Sequence, residues 1–274
     1  MFATPPLAQW SEYADWLQSP HFPEVSILNS GWNCAWRFVE QTPQLLADKQ
    51  HYEQRIHTQA AIATRADNWH DLLNALIWRR YAPIKAALNA RQVAEIALVG
   101  AKQRSRAQCA LTHFDEGGVI VIVRDRQLLP LWDAHDWHGL FWGQRAAWED
   151  GRIAAQVFGH ALLEMALQPC KLITGKALPV YLPSGSTHGD VVACIADAIN
   201  RGSVLNDPQE LRPLPISGIP GWHAEGTRES FYREAPCFQP LRAGREYPPA
   251  LEVSPPGSLL TLSPGPVHSI HPQP

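Results

Sequence analysis

The chain has 274 residues, of which 45% are hydrophobic and 18% charged, and this composition is typical of a globular protein with a sizeable core. Its 23 basic and 26 acidic residues give a net charge of −3, which provides no overall attraction to a phosphate backbone, so no nucleic-acid partner is expected. The five cysteines are far apart and form no C-x-x-C pair, which argues against disulfides and structural zinc.

We expect no targeting or membrane-spanning segment. The N-terminal residues lack the basic and apolar regions of a signal peptide, and no segment approaches the ~18 consecutive apolar residues of a membrane span. The protein is therefore expected to be cytoplasmic and to have no membrane partner.

A bent helical pair is predicted in the first half of the chain. Asp67 or Asn68 can cap a helix in which apolar side chains repeat at helical spacing. This helix should end near Tyr81, because Pro83 cannot donate a hydrogen bond within a continuing helix. Proline suits the first turn of a following helix, so residues 68–94 are predicted to form two helices with a bend between them.

A β-hairpin is predicted next. Short apolar runs at residues 107–112 and 119–123, the second rich in β-branched residues, flank an Asp-Glu-Gly-Gly turn sequence. Further along the chain, residues 152–167 are apolar on nearly all sides and are predicted to form one central helix.

The last third of the chain loses its periodicity. Thr187 and Asp190 make a capping box for one more helix. Residues 211–242 are rich in proline and glycine but keep large aromatic side chains, which predicts a loop wrapped over the core. Residues 247–274 are rich in proline and poor in charge, which predicts a disordered tail.

These patterns together predict an α+β fold. We expect a mostly helical single domain, residues 1–246, with a β-hairpin and a Pro/Gly-rich C-terminal wrapping segment.

Two stretches place ligating side chains within predicted helices. His160 and Glu164 are one i,i+4 step apart and therefore share a helix face, while His70 and Asp71 lie in the first turn of the helix that starts at residue 68. Imidazole and carboxylate groups suit zinc, manganese or iron, so we predict that these four side chains bind one divalent metal ion. Taken alone, each has an ordinary alternative, such as a surface ion pair or, for Asp71, an interaction with the helix dipole.

Asp115 and Glu116 lie at the predicted hairpin turn, next to His113. These two carboxylates are candidates for a further metal ligand or a general base. Asp-Glu-Gly-Gly is also what a tight turn selects for conformational reasons, and this is the more ordinary interpretation of the two residues.

Other polar groups carry weaker signals. A second cluster is set among tryptophans that would crowd a ligand set; it consists of Asp133, His135, Asp136 and His138. No cofactor fingerprint, nucleophile elbow or zinc spacing accompanies any of these residues, so the sequence does not define a substrate.

Several motifs along the chain are similar to the sequence pattern of a known protein family. They are Asn68-Trp69-His70-Asp71, the residues 110–116, Phe158-Gly159-His160 with Glu164, Thr174-Gly175-Lys176, and the late residues 213–222. They resemble a bacterial family known only as domain of unknown function 3025. The similarity spans roughly residues 20–245 and implies a single domain that includes the late loop. It implies no reaction, because the family carries no established activity.

Two functions from different classes fit the sequence, beside a purely structural role. The leading hypothesis is a metal-assisted hydrolase with an unknown small-molecule substrate. The alternative is a non-catalytic module that binds a protein or a small molecule through a Trp-rich surface, with Trp137, Trp142 and Trp222 as anchors. In the third interpretation, the polar groups only satisfy one another. The enzyme needs its ligands to converge in a concave pocket, whereas the module needs an exposed aromatic patch.

Overall fold

Helices and two sheets alternate along the chain in the structure, a computed structural model that describes residues 2–100 and 103–254. The strands are β1 Arg37–Glu40, β2 Ala61–Thr64, β3 Gly118–Val123, β4 Ile153–Val157, β5 Thr174–Tyr181, β6 Arg212–Pro215 and β7 Leu251–Glu252. The α-helices are α1 Ala14–Leu17, α2 Pro43–Leu46, α3 Tyr52–Gln59, α4 Trp69–Val99, α5 Arg106–Gly117, α6 Leu128–Asp133, α7 Arg145–Glu149, α8 His160–Met165, α9 His188–Asn200 and α10 Phe231–Glu234. The predicted α+β class is therefore confirmed.

The larger sheet has the strand order β4-β3-β5-β6, and β7 pairs with β5. β3 pairs antiparallel with β4 and parallel with β5. Every residue of its Gly-Val-Ile-Val-Ile-Val sequence is buried, as expected for a strand that is covered on both faces. The smaller sheet is the parallel pair of β1 and β2, which lies beside a second hydrophobic cluster that includes Ile56 and Trp78.

The longest helix, α4, bends where the sequence predicts. The side chain of Asn68 accepts a hydrogen bond from the backbone N–H of Asp71 at 3.0 Å and caps the first turn. Tyr81 has non-helical backbone angles two residues before Pro83, and the helix then continues to Val99. The bent helical pair is confirmed, although its second part is longer than predicted.

The prediction of a β-hairpin is wrong, because its first arm is the helix α5. Ser105 and Gln108 form a capping box at the start of this helix, and the buried side chains that follow, Ala107, Ala110, Leu111 and Phe114, are spaced for one helix face. The Gly117-Gly118 pair is the point where α5 ends and β3 begins, so the Asp-Glu-Gly-Gly sequence does not form a hairpin turn.

The prediction of one helix over residues 152–167 is also wrong. Residues Ile153–Val157 form β4, in which buried and half-buried side chains alternate along the strand. The chain leaves the sheet at Phe158-Gly159, and the six-residue helix α8 begins at His160. His160 and Glu164 nevertheless remain together on α8, because the helical part of the prediction includes both.

The late Pro/Gly-rich segment packs against the core through aromatic side chains. Phe231 and Tyr232 are buried, and the ring of Tyr232 contacts Phe141 and Phe238. The predicted capping box of Thr187 with Asp190 is present at the start of α9.

The predicted tail, residues 247–274, lies only partly within the described residues. Leu251–Glu252 forms β7 against β5, and residues 255–274 lie outside the described part. Within the described residues, no helix has the length and apolar character needed to span a membrane.

Candidate functional site

A close crossing of two backbone segments builds the site. The N–H groups of Phe158 and Gly159 both donate to the carbonyl oxygen of Gly118, at 2.9 and 2.8 Å. A Cβ atom on Gly159 would lie 2.4 Å from the carbonyl oxygen of Glu116 and 2.4 Å from the amide nitrogen of Gly118. Glycine is therefore required at position 159, where the chain passes from β4 to α8. The crossing sets His160, the next residue, beside the end of α5.

The first turn of α4 supplies a second histidine. Trp69 holds this turn in place, because its ring packs on Phe22 at a centroid distance of 5.0 Å. The following residue, His70, faces α8, and its ring lies edge-on to the ring of His160 at 4.5 Å.

Three ligating atoms converge where α4, α5 and α8 meet. The Nε2 atoms of His70 and His160 are 3.1 Å apart, and Nε2 of His160 is 3.5 Å from a carboxylate oxygen of Glu116. These three side chains offer atoms that all lie within 4.8 Å of one another. Two imidazoles and one carboxylate thus form what we call the His–His–Glu cluster, consisting of His70, His160 and Glu116.

The spacing of this cluster suits a single cation. Zinc–nitrogen bonds are about 2.0–2.1 Å long, so two nitrogens 3.1 Å apart would subtend an angle of about 100° at a shared ion, near the tetrahedral value. Without a cation, one proton between the two nitrogens gives an N–H···N hydrogen bond instead. The two Nε2 atoms are therefore placed both for binding a shared cation and for a hydrogen bond to each other.

The other two predicted ligands lie outside the cluster. A carboxylate oxygen of Glu164 is 2.8 Å from Nδ1 of His70, on the opposite side of the ring from Nε2. A carboxylate in this position fixes the tautomer and the orientation of a ligating imidazole. Asp71 instead accepts hydrogen bonds from the backbone and the guanidinium of Arg65, at 2.6 and 2.7 Å. Its carboxylate is thus occupied by Arg65.

Burial keeps His160 neutral. The side chain is 5% exposed, and burial lowers its pKa to about 3, although the nearby charge of Asp115 acts in the opposite direction. A neutral imidazole is the form that binds a metal ion. Burial also raises the pKa of Glu116, and the charge of Asp115 adds to this effect.

A buried ion pair, which the sequence does not predict, lies next to the cluster. Nζ of Lys85 donates to Asp115 at 2.5 Å and to Oδ1 of Asn74 at 2.9 Å, and the Lys85 side chain is only 5% exposed. Burial raises the pKa of Asp115, but the charge of Lys85, the nearby His160 and His70, and the Lys85 hydrogen bond together outweigh burial, so this pKa lies below its ordinary value. The sequence signal for Lys85 was a lysine within the apolar run after Pro83.

The cluster and the ion pair open into one cavity of about 310 Å³. Its walls come from α3, α4, α5 and the start of α8, and they include all three members of the cluster, Lys85 and Asp115. Tyr52 and Glu53 of α3 close one side, and burial raises the pKa of both groups. This is a concave, polar site of the size that small ligands occupy.

The other polar cluster does not converge on one point. Asp133 pairs with Arg212 at 2.6 Å, His135 is 2.9 Å from the hydroxyl of Tyr247, and His138 is 2.8 Å from Glu229. Asp136 accepts a hydrogen bond from the backbone of Gly139. Each of these four side chains thus has a different bonding partner, and together they do not form a common binding site.

The exposed aromatic patch required by the binding module is missing from the described residues. Trp137 is 5% exposed, and Trp142 and Trp222 are half-buried against the core. The large hydrophobic side chains that are exposed include no tryptophan among the described residues; they are Ile27, Leu46, Leu98 and Val99. A second cavity, of about 730 Å³, is lined in part by Trp222. The His–His–Glu cluster lies at the other cavity, the one of about 310 Å³.

Comparisons with known proteins agree with the motifs. The sequence model of a family described as "Protein of unknown function (DUF3025)" matches residues 36–242, which include the whole cluster and the Lys85–Asp115 pair. No curated protein and no solved structure matches the chain. Since the match covers most of the chain, the protein belongs to the family of proteins of unknown function DUF3025.

Proposed function

We propose that this protein is a metal-dependent hydrolase of small molecules, with His70, His160 and Glu116 as its metal ligands. The observation that carries the proposal is the convergence of these three ligating atoms, all within 4.8 Å of one another, on the wall of a cavity. Two imidazoles and one carboxylate leave a coordination position open, as in catalytic rather than structural metal sites. Zinc, manganese and iron suit these ligands.

The proposed ligand set differs from the set predicted from the sequence. Glu116, which the sequence offered as a ligand or a base, takes the place of Glu164 and Asp71. Glu164 holds Nδ1 of His70, so Nε2 keeps the lone pair that a ligand needs. Asp71 stabilises the start of α4 and binds Arg65.

Each nearby residue then has a defined task. A divalent ion at the cluster would supply a Lewis acid and lower the pKa of a bound water. Lys85 lies on the same cavity wall, and its ammonium group can stabilise negative charge that develops on a substrate carbonyl oxygen. Asp115 holds Lys85 in place and balances its charge when the cavity is empty of substrate.

Elemental analysis of untagged protein, purified without chelator from metal-replete cells, tests the metal site. We expect near-stoichiometric metal in the natural protein and none in Glu116→Gln, which keeps the shape of the side chain but not its charge. Asp71→Asn is the matched control, because it makes the same chemical change on an adjacent helix and should leave the metal content unchanged. Metal-free natural protein, or metal retained by Glu116→Gln, would contradict the proposed ligands.

Hydrolysis is tested on the metal-loaded protein with a panel of uncharged esters and amides. Activity should require both the metal and Lys85, so Lys85→Met should retain metal but lose most of its turnover. If the natural protein binds metal but cleaves no substrate class, the proposal of a hydrolase fails while the metal site stands. If metal is absent and His160→Ala is strongly destabilised, the cluster is a structural network.

A further inference from the structure

Two polar stripes face each other across the cavity. Lys85, Asn89 and Gln92 are spaced at i, i+4 and i+7 on α4, which places them on one helix face. Gln108, Thr112 and Asp115 have the same spacing on α5. The stripes touch at one end, where Lys85 meets Asp115. Near the other end, Nε2 of Gln92 donates to Thr112 Oγ1 at 3.1 Å and to the backbone carbonyl of Gln108 at 3.3 Å. Between these contacts the cavity separates them.

The amide of Gln108 is fixed by one end only. Its Oε1 accepts the backbone N–H of Ser105 at 2.9 Å, as part of the capping box of α5. This bond defines which end of the amide is oxygen. The other end, Nε2, has no hydrogen-bond acceptor among residues 2–100 and 103–254, although the residue is only 5% exposed and lines the cavity.

Asn89 has the opposite arrangement. Its Nδ2 donates to the backbone carbonyl of Glu53 at 2.8 Å and to the Glu53 carboxylate at 2.6 Å. No donor in the described part of the chain reaches its Oδ1, and the residue is 4% exposed on the same cavity wall. The cavity thus presents a fixed donor and a fixed acceptor, each on a side chain that is more than nine-tenths buried. A ligand that pairs with both groups can replace the water that would otherwise hydrate them in the cavity.

We infer that this cavity binds an uncharged polar small molecule whose hydroxyl or amide groups both accept from Gln108 and donate to Asn89. An apolar ligand would leave both groups dehydrated and unpaired. An anion is disfavoured in the buried part of the cavity, because the walls carry the carboxyl groups of Glu53, Asp115 and Glu116, and Lys85 is already paired with Asp115. The other lysine or arginine of the described lining, Arg104, is an exposed residue. That this molecule is the substrate of the enzyme rests on the proposed function, whereas its binding does not require the metal.

The test uses the full chain after treatment with a chelator, so a failure of the metal proposal cannot affect its result. Calorimetric or NMR titrations compare ribose as a neutral polyol, nicotinamide as a neutral carboxamide, nicotinate as its charged counterpart of the same shape, and benzene as an apolar probe. We expect ribose or nicotinamide to bind more tightly than nicotinate and benzene, and which of the two binds identifies hydroxyl or amide recognition.

Gln108→Glu is the decisive variant. A glutamate at this position keeps the capping box, which takes Glu or Gln, but replaces the cavity-facing donor by an acceptor. We expect unchanged folding and a loss of affinity for the neutral probe of about tenfold or more. Gln103→Glu is the matched control, since it adds the same charge at an exposed residue of the same cavity and should leave the affinity unchanged.

Three outcomes would overturn the inference: tighter binding of nicotinate than of nicotinamide and ribose, equal affinity of the natural protein and Gln108→Glu, or no binding of either neutral probe up to its solubility limit. If Gln108→Glu fails to fold, Gln108→Met tests the same donor with a side chain of similar length and no charge.

Discussion

Replacing Gly159 by alanine should strongly destabilise the protein, although it adds a single methyl carbon. The new Cβ atom would lie 2.4 Å from the Glu116 carbonyl oxygen, 2.4 Å from the Gly118 amide nitrogen and 2.6 Å from the Gly117 carbonyl carbon. These are backbone atoms, so no side-chain rotation can relieve the contacts. The two chain segments must move apart.

The size of the effect follows from that movement. Carbon atoms normally keep about 3.5 Å from such neighbours, so the segments must separate by about 1 Å. The hydrogen bonds from Phe158 and Gly159 to the Gly118 carbonyl, at 2.9 and 2.8 Å, would then be lost or weakened. Two backbone hydrogen bonds at about 1 kcal/mol each, with about 1–3 kcal/mol for overpacking, give a loss of roughly 3–5 kcal/mol in the free energy of unfolding.

Urea denaturation measures this loss, and Gly189→Ala is its matched control. Gly189 lies in the first turn of α9, and the nearest atom to a Cβ there is Thr187 Oγ1 at 3.5 Å, an ordinary contact. Alanine is favoured over glycine in helices, so the control should be neutral or more stable by up to about 1 kcal/mol. If Gly159→Ala unfolds at the same urea concentration as the natural protein, the close crossing does not exist and the geometry of the cluster must be revised.

Three further predictions concern the charged groups. Lys85→Met should lower the free energy of unfolding in urea by about 3 kcal/mol, because it leaves the Asp115 carboxylate without its cation. Adding Asp115→Asn should recover most of this loss. If the losses of the two single variants instead add up in the double variant, the pairing is contradicted. Glu164→Gln should weaken zinc binding by roughly 10–100-fold without abolishing it, because Glu164 contacts Nδ1 of His70 and not the Nε2 that faces the cluster. A complete loss of binding in calorimetric titration would make Glu164 a ligand. His160 has a pKa of about 3 in the folded protein against an ordinary value of 6.5, so between these pH values only the unfolded state takes up the proton. The free energy of unfolding of the metal-free protein should therefore fall by up to about 1.4 kcal/mol per pH unit as the pH drops below about 6.5. A His160→Gln variant with the same pH dependence would refute this origin.

Two helix starts and one bend were predictable because their signals are local. Asn68 accepts the hydrogen bond from Asp71 that its position predicts, and Thr187 forms its capping box with Asp190. The bend before Pro83 follows equally from a missing backbone donor. Each of these features depends on residues within one helical turn, so no knowledge of the tertiary fold was needed.

The predictions of a hairpin and of one long helix were wrong because these elements depend on contacts distant in the sequence. The apolar residues 107–112 and 153–157 fit both a helix and a strand, and what decides between them is the partner. β3 pairs with β4 and β5, which lie further along the chain, and the apolar run before β3 packs as α5 instead. The pairing that makes residues 153–157 a strand joins them to residues 119–123, and no local pattern encodes that contact.

The candidate site was partly predictable, because a histidine within an apolar run is a candidate site residue whether that run forms a helix or a strand. His70 and His160 were identified from their sequence surroundings alone, and their Nε2 atoms lie 3.1 Å apart. The choice of carboxylate was not predictable, since Glu164 is the i,i+4 neighbour of His160, whereas Glu116 approaches through the Gly159 crossing. Sequence spacing favours a partner on the same helix, but a backbone crossing can bring a closer one from another element. The comparison of Glu116→Gln with Glu164→Gln therefore tests more than one ligand: loss of metal in the first variant and weakened binding in the second would show that tertiary contact, and not helical spacing, selects the carboxylate.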